Sequence, residues 1–591
     1  MDIELESTGP APVPPAAQQV MIAMRDGIAL ATDVYRPAGP GPWPAVLVRL
    51  PYDKDGRYTF MPWLAPRFTA RGYVFVVQDV RGKFRSEGEA RPFTYEGADG
   101  YDTIDWVSRQ EWCSGAVGMF GDSYYGYTQW CAVASGHPAL RAIVPRVTCA
   151  DLGTWLRGPV DPLYAGTYLA QYWSGRDAHH WQVDFSRRPL AAVFDPGLAA
   201  IGQRSAGLDD LLEAAREDRP VALFAGGEPF TQLTIPVLHA VGWFDNISPW
   251  SMRDYTRLSR DPRLAGLQYL IGNSTDHENF HLADVPVPAS LDHEQSEVAL
   301  ERMLPQYVDP ALDFFDAFVA GTRDPATLPR VRWHLGHDDW HESPQWPPPG
   351  AAELRLHLGD APAATRDAAG GRLLAGPEPG GSAARWTHDP ADLVPSTVAD
   401  PFSFLHEYPD ECAVQGRGDV LTFTTAPLDQ PLDLAGPVTV ALAVATTAPS
   451  CHLFAKLADV APDGRALMLL HGAATVPGDG AAAGPAGPAG PGGAGDAGDA
   501  GGAGEPAAGA AGGPAVAAGQ AAELYLGHTA YRVRPGHRLR LAVACSDFPQ
   551  YVPHPGSAES PWFATATKPS QQTLTTRGSF VSLTVLPAGS S

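Results

Sequence analysis

Short apolar runs rich in β-branched residues, each bounded by glycine, proline or a charged residue, recur through the first half of the chain. Ala45-Val46-Leu47-Val48, Tyr73-Val74-Phe75-Val76-Val77, Val117-Gly118-Met119-Phe120, Ile235-Pro236-Val237-Leu238 and Leu267-Gln268-Tyr269-Leu270-Ile271 are of this kind. Runs of this length without polar alternation predict strands buried on both faces, as in a parallel sheet covered by helices on either side. Ahead of them, Val20-Met21-Ile22 and Ile28 to Tyr35 predict an antiparallel start to the sheet. From Thr148 to about Thr234 the period changes, and Trp155, Tyr164, Tyr168, Tyr172, Trp173 and Trp181 recur near helical spacing. Trp346-Pro347-Pro348-Pro349 breaks regular structure, and beyond Ala352 alternating stretches such as Val438 to Val444 and Arg538 to Val543 predict the strands of a sandwich. The expected organisation is an α/β portion over 1–147, a helical insert over 148–234, a second α/β portion over 235–349 and a β-domain over 352–591.

Candidate chemistry lies where these strands end, since ligands of parallel sheets sit beyond the carboxyl ends of the strands. Gly121-Asp122-Ser123-Tyr124-Tyr125-Gly126 follows an apolar run and precedes a helical segment. It is a close variant of the nucleophile elbow, in which small residues let the backbone crowd around a serine on a tight strand-to-helix turn. Arg49-Leu50-Pro51-Tyr52-Asp53-Lys54 and Gln78-Asp79-Val80-Arg81-Gly82 are likewise strand ends, so Tyr52 and Asp79 share an edge with Ser123. Downstream, one strand ends in Gly242-Trp243-Phe244-Asp245 and the next in Gly272-Asn273-Ser274-Thr275-Asp276-His277. Ser, then Asp, then His is the order of the α/β-hydrolase triad. A serine hydroxyl is a poor nucleophile at neutral pH. An imidazole must take its proton, and a buried carboxylate must hold that imidazole in the right tautomer. His281, four residues beyond His277, is the rival for the base.

Taken together these segments resemble the cocaine-esterase-like hydrolases, a family related to the X-Pro dipeptidyl peptidases and to acylases acting on cephalosporin side chains. The resemblance rests on Pro51-Tyr52-Asp53-Lys54, Gln78 to Gly82 with Ser86-Glu87-Gly88, Glu96 to Trp106, the elbow, and Gly242-Trp243-Phe244-Asp245. It continues through Gly418 to Phe423, Lys456 to Arg465 and Gly536 to Leu541, and so is nearly full length. It implies an α/β hydrolase with an inserted helical cap and a C-terminal jelly roll. It also implies a triad of Ser123, Asp245 and His277, with an oxyanion hole from the Tyr52 hydroxyl and the backbone N–H of Tyr124. The chain departs from the family at the histidine, where Gly272 to His277 is longer than the usual Gly-Pro-Trp-x-His and lacks its tryptophan.

Other features narrow the reading. A formal net charge of −24 over 591 residues argues against a nucleic-acid partner, and no run is long and apolar enough to span a membrane. The six cysteines are scattered, as in reduced thiols, and the acidic N-terminus lacks a signal peptide's basic flank, so a cytoplasmic enzyme is expected. Neither zinc spacing nor a phosphate loop occurs, so no cofactor or metal is expected. Asp79 and Arg81 read as a structural pair or as hydrogen-bonding groups near the sheet edge. Glu96, Asp99, Asp102 and Asp105 read as a solvated helix face. Most cap aromatics read as packing, with one or two at the substrate.

The partner is thus a small-molecule ester or amide, with a homodimer left open. The reading is a serine hydrolase acting on acyl esters or activated amides. Its alternatives are an X-Pro dipeptidyl-peptidase-type enzyme, whose relatives carry an N-terminal domain with no room before Gln19, and a catalytically silent ligand-binding relative. Gly478 to Gly519 is almost wholly Gly, Ala and Pro, with a three-residue glycine period too short and irregular for a triple helix, so a disordered loop is expected. Replacing Gly478 to Gly519 with a short linker should therefore leave the melting temperature and turnover close to those of the intact chain. A large fall in either would show that the segment has a structural role.

Overall fold

The computed structural model describes residues 3–153, 160–216, 224, 227–365, 370–478 and 521–587. Trp155 and nearly all of the Gly/Ala/Pro segment lie outside the described residues. The first sheet is built from β2 (Gln18–Ala23), β3 (Ala29–Tyr35), β4 (Trp43–Leu50), β5 (Val74–Asp79), β6 (Cys113–Asp122), β7 (Leu140–Arg146), β9 (Val237–Gly242), β10 (Gln268–Asn273), β11 (Val331–His334) and β12 (Trp340–Ser343). Their order across the sheet is β12-β11-β10-β9-β7-β6-β4-β5-β3-β2. The strands from β5 to β11 in that order are parallel, while β3 on β5, β2 on β3 and β12 on β11 are antiparallel. A two-stranded ribbon of β1 (Glu6–Thr8) and β8 (Ala178–His180) lies apart from it.

Alternation along the strands sorts the core into two layers. Val46, Val48, Phe75 and Val77 pack with α1 (Met61–Ala70) and α9 (Glu297–Phe318). Their neighbours Ala45, Leu47, Val74 and Val76 pack with α2 (Glu96–Ser108), α3 (Ser123–Ser135) and α8 (Ser248–Arg260). Helices on both faces account for strands without a polar side. Between β7 and β9 the chain runs through α4 (Leu163–Trp173), α5 (Asp195–Ile201), α6 (Ala206–Arg216) and α7 (Pro229–Gln232), the helical cap.

The C-terminal jelly-roll domain comprises β13 (Ala352–Gly359), β14 (Gly371–Leu374), β15 (Ala383–His388), β16 (Leu421–Thr424), β17 (Leu432–Thr446), β18 (Ser450–Val460), β19 (Ala466–Pro477), β20 (Ala522–Val533), β21 (Arg538–Ala544) and β22 (Ser570–Val585), with α10 (Phe404–Glu407) between β15 and β16. The long strands β17 and β22 pair along much of their lengths. The domain grips the first sheet at the acid-bearing turn. Phe244 lies among Phe404, Tyr408 and Tyr531 of that domain, while Trp243 stacks at 5.1 Å on Trp346 in the segment leading into it. Among the described residues no helix is long and apolar enough to cross a membrane.

The expectation of a solvated acidic face on α2 needs correcting. Glu96 and Asp99 are buried. Arg49, itself buried, donates to Glu96 at 3.0 Å and to Gln78 at 2.7 Å, while Arg81 holds Asp99 at 2.6 Å and Asp26 at 2.6 Å. Asp102 and Asp105 are the half-exposed members of the row. Helical spacing reported one face correctly, but that face abuts a strand carrying an arginine. Arg81 does not pair with Asp79. The Asp79 carboxylate instead accepts the backbone N–H groups of Lys54 and Arg85, both at 3.3 Å, and burial lifts it to about 8.

Candidate active site

The chain enters α3 through a strained turn. Ser123 has φ +50°, a left-handed conformation that costs a residue with a Cβ about 1–3 kcal/mol and persists only where the surroundings enforce it. Here they do. Gly121 has φ +144°, and a Cβ on it would lie 2.1 Å from the Tyr125 ring, while one on Gly126 would lie 2.4 Å from the Thr148 methyl group. The buried Gln129 amide donates to the Gly121 carbonyl at 3.1 Å, and Thr148 Oγ1 donates to the Ser123 carbonyl at 2.7 Å. Both glycines are therefore required by close approach, and the half-buried Ser123 side chain stands at the carboxyl edge of the sheet.

Asp245 follows β9 on a tight turn and is buried. Its Oδ1 accepts the Ile247 N–H at 3.0 Å and the His277 ring Nδ1–H at 2.8 Å. Of the two candidate histidines, His277 meets Asp245, whereas the His281 ring accepts the Ala283 N–H at 3.0 Å and lies against His334. Gly242 lets the two loops close on each other, for a Cβ there would sit 2.4 Å from the Thr275 carbonyl oxygen, and the Phe244 N–H donates to that oxygen at 3.0 Å. Behind the acid, a cavity of about 50 Å³ is lined by Asp245, Asn246, Ser248, Lys456 and His471. Neither Ser123 nor Tyr52 borders it.

Burial by itself would depress the His277 imidazole. The Asp245 charge and hydrogen bond, with Glu278 and Asp122 assisting, outweigh burial and lift it to about 9. Glu278, the next residue, is pushed up to about 7 by burial against the pull of His277.

Tyr52 sits on the loop after β4, which is anchored by the buried Lys54 ammonium on Asp33 at 2.9 Å and on Asp55 at 2.7 Å. Its hydroxyl is 3.0 Å from that of Tyr168, and its ring packs edge-on against Tyr58, Tyr125 and Tyr172. Burial, then Tyr168, pushes the phenol well above its usual 10, so it remains a neutral O–H donor. The Tyr124 hydroxyl is engaged elsewhere, donating to Glu96 at 3.0 Å and accepting the Phe93 N–H at 2.8 Å. What Tyr124 can offer a ligand is its backbone N–H in the first turn of α3, where helix amides have no carbonyl partner within the helix.

Two bridges tie these loops together. Arg146 donates to Asp122 at 2.8 Å and to Asn279 at 3.1 Å, joining the strand end before Ser123 to the loop of His277. The Tyr58 hydroxyl donates to Glu278 at 2.9 Å, joining the Tyr52 wall to the same loop. Sequence reasoning did not single out Tyr58, Arg146, Asp276, Glu278 or Phe402. Tyr168 and Tyr172, one helical turn apart on α4, are the cap aromatics that reach Tyr52, whereas Trp173 and Trp181 pack in the core. Phe402 comes from the β-domain and lays its ring 5.0 Å from that of His277, a contact no local pattern announces.

Residues 26–279 match the X-Pro dipeptidyl-peptidase (S15 family) profile, and residues 325–582 match the X-Pro dipeptidyl-peptidase C-terminal non-catalytic domain. The chain is 31% identical over 577 residues to the cocaine esterase of Rhodococcus sp. (strain MB1 Bresler), spanning 90% of this chain and 91% of that protein. The chain belongs to the cocaine-esterase-like family of serine hydrolases. Within that family it is also 25% identical, over 91% of each chain, to a putative serine esterase of Mycobacterium bovis. A solved alpha-amino acid ester hydrolase shares the fold, with a TM-score of 0.74 at 24% identity over 96% of each chain.

The geometry makes a direct prediction about the imidazole. Nuclear magnetic resonance titration should find His277 protonating near pH 9 in the intact protein. In Asp245→Asn the largest raising charge is gone while burial and the smaller pull of Glu278 and Asp122 remain, so the same resonance should titrate well below pH 9. A His277 that titrates identically in both proteins would show that the acid does not govern it.

Proposed function

We propose that this chain cleaves acyl esters through an acyl-enzyme, with Ser123 as nucleophile, His277 as general base and acid, and Asp245 as the group that orients His277. The Tyr52 hydroxyl and the Tyr124 backbone N–H are the oxyanion donors. The observation that carries this reading is the strained Ser123 turn set at the same sheet edge as a histidine hydrogen-bonded to a buried aspartate. The cocaine esterase and the putative serine esterase among the relatives support esters as the substrate class.

In the first half-reaction Ser123 Oγ attacks the acyl carbon while His277 Nε2 takes its proton, and the carbonyl oxygen becomes an oxyanion facing two donors. Each donor contributes on the order of 3 kcal/mol in the transition state. Collapse expels the alcohol, which receives the proton from His277. Water, deprotonated by the same nitrogen, then hydrolyses the ester on Ser123 and restores the free hydroxyl.

Two experiments test this. A fluorophosphonate should add one label to the peptide containing Ser123, Ser123→Ala should abolish both the label and turnover of a p-nitrophenyl ester, and labelling of another serine would overturn the assignment. The family match to X-Pro dipeptidyl peptidases favours a second reading, so an X-Pro chromogenic amide belongs in the same assay; cleavage of it in preference to esters would replace the ester reading. A wild-type protein that neither labels nor turns over would be a silent binding relative.

Tyr52→Phe removes one transition-state hydrogen bond and keeps the ring packing. Turnover should fall by roughly a hundred- to a thousandfold with little change in KM or melting temperature. An unchanged turnover in the folded variant would rule out the oxyanion role for Tyr52.

A further inference from the structure

The loop that carries His277 is longer than the family pattern and lacks its tryptophan, and one residue in it has no counterpart in the chemistry above. Asp276 is fully buried immediately before the histidine. Its Oδ1 accepts the Phe280 N–H at 2.9 Å within the loop, and its Oδ2 accepts the Leu405 N–H at 2.8 Å from α10 of the β-domain, 129 residues away. The Glu278 N–H donates to the Phe402 carbonyl at 3.3 Å, so the residues on both sides of His277 are hydrogen-bonded to the same β-domain segment. Phe402 then lies on the imidazole, and Phe404 of the same segment stacks on Phe244, next to Asp245.

A buried carboxylate is expensive unless its oxygens are satisfied, and a loop needing only bulk would be served by an apolar residue. Asp276 is satisfied by two amides from two separate parts of the fold, which makes it a clasp between them. Resting on the reading of His277 as the base, we infer that Asp276 is a positioning residue, through which the β-domain holds the histidine loop at the height where Nδ1 meets Asp245. It touches neither substrate nor the reacting atoms. Its effect is on the attack geometry, where a displacement of about 1 Å can cost on the order of a hundredfold in rate.

The test uses Asp276→Asn in the full chain, with turnover expressed per fluorophosphonate-titratable site so that unfolded protein does not count. The amide keeps the shape but turns an NH₂ group toward one of the two backbone donors. We expect kcat to fall between about ten- and a hundredfold with KM within about twofold, and Ser123 labelling to slow in proportion. A merely structural aspartate would lower the melting temperature and leave turnover per site unchanged, which would overturn the inference.

A second pair approaches the clasp from the other side. Leu405→Ala keeps the donating amide and Leu405→Pro removes it, since proline has no N–H. If Asp276→Asn does not fold, a Leu405→Pro protein matching Leu405→Ala in turnover per site overturns the inference, and a further tenfold loss in Leu405→Pro upholds it. Failure of this inference is distinguishable from failure of the hydrolase reading, because the latter shows as a wild-type Ser123 that takes no label.

Discussion

A side chain at φ +50° crowds its own backbone, and the geometry of this sheet edge follows from holding Ser123 there. The turn closes only because Gly121 leaves room for the Tyr125 ring and Gly126 leaves room for Thr148. Thr148 in turn ties the Ser123 carbonyl to the segment after β7, and its own carbonyl accepts from Ser251 on α8, the helix that follows the acid turn. Strain in one residue is thus balanced by packing and hydrogen bonds drawn from three consecutive crossovers of the sheet. A rigid scaffold of this kind is needed if a hydroxyl is to be presented rather than buried.

Burial of charge does the corresponding work for the loops. Arg49, Glu96, Arg81 and Asp99 join β4, the loop after β5 and α2 beneath the sheet edge, and Lys54 with Asp33 and Asp55 fastens the Tyr52 loop above it. Breaking one partner of such a buried pair leaves an uncompensated charge, which costs about 3–5 kcal/mol, whereas an intact pair contributes little net stability. Their value lies in specifying one arrangement of loops that hydrophobic contacts alone would leave adjustable. Asp79 orders two loops at once by hydrogen bonding rather than by charge, since burial lifts it to about 8 and its side chain accepts backbone amides on either side of the edge.

Much of this was legible in the chain itself. Strands buried on both faces leave uninterrupted apolar runs, and the crossover rule puts their carboxyl ends on one edge, so Ser123, Asp245 and His277 could be placed together before any coordinates. The choice between His277 and His281 could not be made that way, because it depends on a loop whose shape is fixed by Asp276 and by a left-handed Asn279. The acids of α2 were misread for a related reason. Spacing identifies a face, but only tertiary contact says whether that face meets water or Arg49. Contacts from the β-domain were invisible, since Phe402 and Leu405 act on residues more than a hundred positions earlier through one ring and one backbone amide.

Those contacts bear on why a sheet that already carries its own serine, acid and histidine is joined to a jelly roll. Loops at a sheet edge are the least constrained parts of an α/β fold, and a histidine on a long loop loses attack geometry through small displacements. The cap side is closed by Tyr168 and Tyr172 on the Tyr52 ring. On the opposite side the β-domain supplies Phe404 against Phe244, Phe402 against His277 and the Leu405 amide to Asp276. The two domains are therefore coupled at the loops that carry Asp245 and His277. If His277 is the base, as proposed above, these β-domain contacts set the geometry at which it works.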